Sequence, residues 1–215
     1  MTLSAAAATN VVVQPDWTRP PRDAVDAIAR FPVALIGDAQ NRMGIMESAI
    51  RLLTPGLTLA GSVLPIQVTE GDNLAIHRAL EHTRGGDVLV VNGLGMTSRA
   101  VFGDLLAQRC LANGVAGVIV DGVVRDVERI TTLGLAVFAR GVSPAGPWKH
   151  GPGRVGWPVA CGHVVCNAGD VAVGDSDGVA IVAAADLTSV LERARTRDDL
   201  EVAKRATIKR PSTSR

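Results

Sequence analysis

Short apolar runs alternate with segments of helical periodicity through the middle of the chain. The runs Asp87–Asn92, Val115–Val120 and Leu135–Ala139 are almost continuously apolar, which is typical of strands covered on both faces of a sheet. Between them, Ser98–Asn113 and Val127–Leu133 carry apolar residues at helical spacing, and a glycine ends each segment. This order of strand, helix, strand, helix and strand predicts right-handed crossovers and a parallel portion of sheet.

The residues before this unit predict shorter elements. Asp23–Phe31 has the spacing of a short helix that the following proline ends, Val33–Ile36 is expected to be extended, and Gly37–Gly44 is expected to be a second short helix. Thr58–Glu70 is rich in strand-forming residues, so it predicts a strand. Because proline donates no hydrogen bond, Pro65 favours an edge or a bulge in that strand.

The last third of the chain changes to short β-like runs joined by Gly, Asp and Asn turns. The runs Val155–Cys161, His163–Cys166, Val171–Val173 and Gly178–Val182 predict antiparallel strands, and a helix is expected from about Ala185 to Lys204. The whole pattern predicts an α/β fold with a mixed sheet. It divides the chain into an N-terminal arm (1–20), one α/β domain (21–184), and a C-terminal helix with a basic tail (185–215).

Composition narrows the classes of function. The chain has 215 residues, 22 Lys and Arg against 21 Asp and Glu, and three cysteines. This balance of charge does not indicate a nucleic-acid or membrane partner, and three cysteines do not make a disulfide framework. No apolar run reaches the roughly 20 residues of a membrane helix. The sequence therefore predicts a cytoplasmic protein whose cysteines stay reduced.

The first candidate for chemistry is Asp104, which follows Gly103 at the expected start of an apolar helical turn. Free backbone N–H groups after glycines favour the binding of an anion such as a carboxylate, and the preceding Gly93–Gly95 loop could allow a close approach. The alternative is an ordinary helix residue on the surface. The spacing of the residues alone supports both interpretations of Asp104 equally.

The second candidate is the group Asp121, Arg125 and Asp126, which is expected at the end of a buried strand. Functional residues of α/β sheets gather at the carboxyl ends of strands. Asp126 offers the hard oxygen ligands that Mg²⁺ prefers, and Arg125 can bind a carboxylate or a developing enolate. A structural Arg–Asp pair in a turn is the alternative.

Other polar residues favour simpler roles. Lys149 follows a Pro- and Gly-rich loop, and a surface position or subunit contact is favoured over a Schiff-base lysine. His77 and His82 lack the spacing of a two-histidine metal site, so solvated positions on a helix are favoured, with a pocket position for one of them as the alternative. Asp175 and Asp177 are best explained as residues of a polar turn.

Six segments together resemble the RraA-like family. They are GDNLAIHRAL, DVLVVNG, TSRAVFGDLLA, AGVIVDGVVRD, FARGVSPAGPWKHGPG and GDVAVGDSDGVAIV. The resemblance covers about residues 33–183 and includes the family's signature at Asp104, Arg125 and Asp126. That family includes 4-hydroxy-4-methyl-2-oxoglutarate/4-carboxy-4-hydroxy-2-oxoadipate aldolases that also decarboxylate oxaloacetate.

The resemblance implies a three-layer α/β/β fold like that of swivelling domains, assembled as a trimer or a hexamer. It implies that Asp126 binds Mg²⁺, Mn²⁺ or another divalent metal largely through waters, and that Arg125 binds the pyruvyl group. The backbone of Gly103, Asp104, Leu105 and Leu106 would hold the carboxylate and carbonyl oxygens of a 2-oxo acid. Asp104 would also bind waters of the metal.

The resemblance further implies a site between subunits, to which a glutamate of a neighbouring C-terminal helix contributes. Glu192 and Glu201 are both candidates for this glutamate. The sequence departs from many aldolases at Met96, where a polar residue is expected after the glycine, and this affects the expected hydration of the loop or the range of substrates.

The residues and the resemblance therefore indicate two candidate functions. The first is a divalent-metal lyase that cleaves a 2-oxo acid through a pyruvate enolate. The second is a non-catalytic regulator that binds a ribonuclease, since some members of the family are named for inhibiting RNA processing.

Overall fold

A computed structural model of the chain describes residues 10–14 and 16–208. Residues 1–9 and 15 of the expected arm, and the basic tail from residue 209 onward, lie outside the described residues. Within the expected arm, Val11–Val13 form a strand that pairs in parallel with residues 153–155, so these three residues belong to the main sheet.

Strands and helices alternate between residues 59 and 142, and short strands follow before the last helix. The strands are β1 Val11–Val13, β2 Arg51–Leu52, β3 Leu59–Val68, β4 Asp87–Phe102, β5 Gly117–Val124, β6 Val137–Val142, β7 Gly153–Val155, β8 Val159–Cys161, β9 Val164–Cys166, β10 Val171–Asp175 and β11 Gly178–Val182. The helices are α1 Arg22–Ile28, α2 Val33–Ala39, α3 Leu74–Ala79, α4 Asp104–Ala112, α5 Val127–Leu133 and α6 Leu187–Thr207.

Within the described residues, nine strands form one mixed sheet in the order β1-β7-β3-β4-β5-β6-β2, with β10 on β3 and β11 on β10. Strands β3, β4, β5 and β6 pair in parallel, which confirms the predicted parallel unit. The β8–β9 and β10–β11 pairs are antiparallel, as the last third of the sequence predicts.

The sheet is covered on both faces, because its central strands send alternate apolar side chains to opposite sides. On one side, Leu89 and Val118 pack with apolar residues of α3, α4 and α5. On the other side, Val88 and Ile119 pack against the β8–β9 pair. Helices α1, α2 and α6 cover β10 and β11. The predicted α/β fold with a mixed sheet is confirmed.

The expected strand at Val33–Ile36 is wrong, because these residues begin helix α2. Pro32 stands just before this helix, where its missing N–H is not needed. The carboxylate of Asp175 accepts the N–H of Val33 at 2.9 Å, and it thereby satisfies a free donor at the helix start. Asp175 therefore has a structural role on this helix.

The expected helix over Ser98–Asn113 is wrong in its first part. Strand β4 continues to Phe102 and keeps pairing with β5 through three register shifts. Such bulges bend a strand and hide its regular alternation, which is why the sequence pattern suggested a loop and a helix. Helix α4 begins only at Asp104.

Pro65 lies in the interior of the sheet, so the expected edge or bulge is wrong. On one side Pro65 is paired with Val90 of β4. On the other side β10 pairs with residues 59–62 of β3 and β7 with residues 66–68, so Pro65 occupies the gap between these two partners. A proline is tolerated there because neither ladder needs its N–H.

Asp121 does not reach the turn with Arg125 and Asp126, so this part of the sequence expectation is wrong. It lies inside β5, where it is buried. Its carboxylate accepts hydrogen bonds from Arg140 Nε at 2.5 Å and from the Gly162 N–H at 2.9 Å. Asp121 thus ties β5 to β6 and to the β8–β9 turn.

Replacing Asp121 with alanine should lower the free energy of unfolding by about 2 kcal/mol, because Arg140 and the Gly162 N–H both lose an acceptor, although Arg140 keeps its pair with Glu47. Chemical denaturation followed by circular dichroism measures this loss. Asp26→Ala is the control, since Asp26 forms an exposed pair with Arg22 at 2.9 Å. It should cost about 0.5 kcal/mol or less. Equal losses in the two variants would contradict the structural role of Asp121.

Candidate functional site

The turn after β5 carries Arg125 and Asp126 to the start of helix α5. Asp126 adopts a left-handed backbone conformation, with φ of 59° and ψ of 31°. This conformation is uncommon for residues other than glycine, although aspartate tolerates it better than most. Backbone strain of this kind clusters at functional sites. The conformation therefore supports the prediction that Asp126 belongs to a site.

The end of β4 meets this turn. The Arg125 N–H donates to the Phe102 carbonyl at 2.9 Å, and the Asp104 N–H donates to Asp126 Oδ2 at 3.4 Å. Arg125 Nε lies 3.2 Å from the same oxygen of Asp126. The structure thus brings Asp104 beside Arg125 and Asp126, as the sequence predicts.

Gly103 makes this approach possible. Its backbone is extended, with φ of −158°, so its conformation does not require glycine. A Cβ atom at this position would lie 2.8 Å from Asp126 Oδ2 and 3.0 Å from Arg125 Cγ. Glycine is therefore needed at residue 103 for space, and any side chain there would push the two site residues away.

Asp104 is buried and stays ionised. Burial raises its pKa, but hydrogen bonds from Arg129 and from the Leu105 N–H, together with the charge of Arg129, hold the pKa below its ordinary value. Arg129 Nη1 lies 3.2 Å from Asp104 Oδ2. At neutral pH this carboxylate is an acceptor and does not act as an acid.

Two of the backbone donors at the start of α4 already face carboxylates of the chain. The Asp104 N–H points to Asp126, and the Leu105 N–H donates to Asp104 Oδ1 at 2.8 Å. The Leu106 N–H donates to the Gly103 carbonyl at 3.1 Å. These contacts show that the turn suits carboxylate oxygens. A bound 2-oxo acid would share or replace them, and the binding roles of Gly103–Leu106 stay predictions.

Arg125 lies at the junction of two clefts. One, of about 560 Å³, is open and is lined by Arg125, Asp126, Glu128, Arg129 and residues 142–144. The other, of about 90 Å³, is narrow and includes Gly103, Asp104, Leu105 and Leu106 in its lining. A ligand held by Arg125 can therefore extend into both.

Three further residues line the narrow cleft. Asn73, His77 and Lys149 lie there together with Arg125. His77 is half-buried and takes the pocket position given as the alternative, and Lys149 is exposed, which agrees with its expected surface position. Asn73 is buried, and its Oδ1 has no hydrogen-bond partner among the described residues. Lys149 adds a positive charge where the ligand would extend.

His77 is a neutral hydrogen-bond donor to this cleft. Burial, with the charges of Lys149 and Arg109, lowers its pKa to about 4, although Asp72 opposes the shift. Arg109 Nη1 lies 2.8 Å from His77 Nδ1. Because arginine can only donate, Nδ1 must accept, and the proton of the neutral ring is on Nε2.

Arg129 was missed from the sequence. It lies four residues after Arg125, at the start of α5, and it pairs with Asp104 across the gap between α5 and α4. The only sequence signal is this spacing of four residues, which places two arginines on one side of a turn. Such a pair is common on exposed helices, so the signal is weak.

Other expected participants lie elsewhere. The Gly93–Gly95 segment is part of β4, and Gly93 packs closely on the backbone of Asp121. Met96 is paired with Gly122 of β5 across a register shift. Glu192 and Glu201 are on α6, which packs on the α1 and α2 side, and Glu201 binds Arg205 of the same helix at 2.6 Å. A contribution of either glutamate to a neighbouring site stays a prediction.

The donor set fits a divalent metal that keeps most of its waters. Mg²⁺ binds one or two protein carboxylates and completes its shell with water. Asp104 and Asp126 supply two carboxylates, and Asp126 Oδ1 accepts no hydrogen bond from the described residues. Among residues 10–14 and 16–208 no group of three or more His, Cys, Asp or Glu is placed to hold a metal. A closed cage of protein ligands is therefore not formed there.

The chain is similar in sequence to proteins of one family. The family model described as "RraA-like: Aldolase/RraA" matches residues 23–181. A protein of Halalkalibacterium halodurans named "Putative 4-hydroxy-4-methyl-2-oxoglutarate aldolase" is 34% identical over 174 residues, which cover 80% of this chain and 83% of the relative. A protein of the same name from Aromatoleum aromaticum is 37% identical over 152 residues, 70% of this chain and 95% of the relative.

Solved structures show the same fold. Streptomyces coelicolor RraAS2, described as an unusual member of the RNase ES inhibitor RraA protein family, is 28% identical, with a TM-score of 0.79 over 88% of this chain and 100% of that chain. The RNA-processing inhibitor RraA of Thermus thermophilis is 27% identical, with a TM-score of 0.65 over 70% of this chain and 92% of that chain.

No helix in the described part of the chain is long and apolar enough to cross a membrane.

The protonation of His77 is directly measurable. Nitrogen-15 NMR of the imidazole should show the Nε2–H tautomer at pH 7 and a titration midpoint near 4, against an ordinary value of 6.5. The unfolded chain gains this proton near its ordinary pKa and the folded chain only near 4. The free energy of unfolding should therefore decrease as the pH falls through that window. In His77→Gln this part of the decrease should be absent. A midpoint at or above 6.5 would contradict the buried, neutral ring.

Proposed function

This chain belongs to the RraA-like family, and we propose that it is a divalent-metal-dependent lyase that releases pyruvate from 2-oxo acids. The substrates in this proposal are 4-hydroxy-4-methyl-2-oxoglutarate or 4-carboxy-4-hydroxy-2-oxoadipate, with oxaloacetate as a substrate for decarboxylation. The observation that supports it is the meeting of Asp104, Arg125 and Asp126 at the junction of two clefts.

Asp126, with Asp104 beside it, would hold Mg²⁺, Mn²⁺ or another divalent metal. When bound, the metal supplies a Lewis acid that polarises the 2-oxo group of the substrate. Arg129 helps to hold the pKa of Asp104 below its ordinary value, so this carboxylate would be available as an acceptor for waters of the metal.

Arg125 binds the carboxylate and 2-oxo oxygens of the pyruvyl group through its guanidinium fork. In the retro-aldol reaction the 4-hydroxyl loses its proton, its oxygen forms a carbonyl with C4, and the C3–C4 bond breaks to release the C4 fragment as the second product. The electron pair of that bond moves to C3, and the charge of the enolate collects on the C2 oxygen. Arg125 stabilises this oxygen, and protonation at C3 gives pyruvate. Loss of CO₂ from oxaloacetate leaves the same enolate.

The narrow cleft binds the rest of the substrate. Lys149 provides a positive charge and His77 provides an Nε2–H donor, and both suit a second carboxylate. Because Arg109 occupies His77 Nδ1, His77 does not act as the base. The proton of the 4-hydroxyl therefore passes to a water molecule held beside the carboxylates.

The protein would act as a homo-oligomer, a trimer or a hexamer, in the cytoplasm. The support is the open side of the larger cleft, where a second copy of the chain could complete the site with Glu192 or Glu201.

The wild-type protein should release pyruvate from these substrates with Mg²⁺ and lose this activity with EDTA. Arg125→Ala and Asp126→Ala should each lower kcat/KM by about 100-fold or more, because each removes a group that acts on the transition state. A lactate dehydrogenase coupled assay measures the rates. Arg22→Ala is the matched control, since Arg22 pairs with Asp26 on the exposed face of α1, and it should retain full activity. Normal turnover in folded Arg125→Ala would contradict the proposed function.

The likeness to RraAS2, whose description names inhibition of a ribonuclease, supports a second candidate function. In this alternative the chain binds a ribonuclease by surface contacts and the site is not used. The two functions differ in their dependence on Asp126. Inhibition of an RNase E-type enzyme by wild type and Asp126→Ala alike, without release of pyruvate by either, would favour the regulator.

A further inference from the structure

The guanidinium of Arg125 lies between two glycines of different segments. A Cβ atom at residue 103 would come within 3.1 Å of Arg125 Nε, and a Cβ atom at residue 146 would come within 2.9 Å of Arg125 Nη1. Both separations are shorter than an ordinary contact with a Cβ atom, which is 3.4–4 Å. The side chain therefore fits only because neither neighbour has a Cβ.

The backbone at Gly146 is fixed by its surroundings. The Gly146 carbonyl accepts a hydrogen bond from Arg99 Nη1 at 2.8 Å, and the Ala145 carbonyl accepts the Ala100 N–H at 2.9 Å. Two residues later, the Trp148 N–H donates to the Gly71 carbonyl at 2.8 Å. A conflict at residue 146 would therefore move the arginine and leave the loop in place.

Arg99 strengthens this anchorage. Its guanidinium carbon lies 4.5 Å from the centre of the Trp148 ring, which is a cation–π contact. One side chain thus holds the carbonyl of Gly146 and the ring of Trp148 together. The loop is tied to β4 at one end and to the turn before α3 at the other.

The conformation of Gly146 gives no other reason for glycine. Its φ lies outside the left-handed range, so an L-residue can adopt it. The following Pro147 favours an extended backbone, which alanine also accepts. Space for Arg125 is therefore what this position provides.

We propose that Gly146 is a positioning residue, whose missing side chain sets the place of the Arg125 guanidinium at the junction of the two clefts. The proposal rests on the proposed function, because Arg125 is the group that binds the enolate there. A Cβ at residue 146 would displace Nη1 by about half an ångström or more. Displacements of about 1 Å in a catalytic group cost up to roughly 100-fold in rate.

The test is Gly146→Ala in the full chain, assayed with oxaloacetate and Mg²⁺. We expect kcat to fall by about 10-fold to 100-fold with little change in melting temperature, because the contact is with the far end of a flexible side chain. Gly141→Ala is the matched control. A Cβ at residue 141 would meet only Val123 Cγ1, at 3.9 Å, so this variant should keep its activity. Full activity in Gly146→Ala, or an equal loss in Gly141→Ala, would overturn the proposal.

A double-mutant cycle separates positioning from a general effect on the loop. Lysine has no Nη1, so Gly146→Ala should change kcat in the Arg125→Lys background by less than about 2-fold. A loss there as large as in the wild-type background would overturn the proposal. A crystal structure of Gly146→Ala should show the displaced guanidinium whether or not the protein turns over substrate. If wild type released no pyruvate, the proposed function would fail, and an unmoved guanidinium in that crystal would separately refute the positioning role.

Discussion

The Asp126 carboxylate joins two segments that are 22 residues apart in the chain. One of its oxygens lies near both the Asp104 N–H and Arg125 Nε, so a single atom links the start of α4 to the turn before α5. Two local features allow this link. Asp126 has a left-handed backbone that turns its side chain toward β4, and Gly103 has no side chain to obstruct it. The two clefts meet at Arg125 because these conditions hold together.

Local sequence signals predict those elements whose boundaries are set by local chemistry. Helix α5 has the predicted bounds, because Gly134 at its end adopts the left-handed conformation that ends helices. The hairpins of the last third follow from their turn residues. The predictions failed where tertiary pairing outweighed local preference. Residues 33–36 form a helix that Asp175, distant in sequence, helps to begin, and β4 continues through bulges that only its pairing with β5 can stabilise.

The site could be predicted in its centre but not at its edges. Asp104 follows a glycine, Arg125 and Asp126 follow a strand end, and a helix and a strand between them can bring them together. Asp121 is also an aspartate near the end of a buried strand. It faces Arg140 instead of the site because the turn starts only after Val124. His77 and Lys149 are brought to the cleft by α3 and by the loop after β6. Nothing local in the sequence distinguishes them from solvated residues.

The charges around the clefts argue for the class of ligand. Arg125, Arg129 and Lys149 carry positive charge at or beside the clefts, against the three carboxylates of Asp104, Asp126 and Glu128. These charges balance, so a divalent cation on Asp104 and Asp126 would make the site positive. His77 stays neutral because it is buried and because Lys149 and Arg109 beside it are cations. Such a field attracts a dianion more than a monoanion. The positions of the charges indicate where each end of the ligand would bind. Arg125 and the carboxylates are at the junction of the clefts, and Lys149 is in the narrow cleft. A short diacid with a 2-oxo group at one end would match this separation, which is what the proposed function requires.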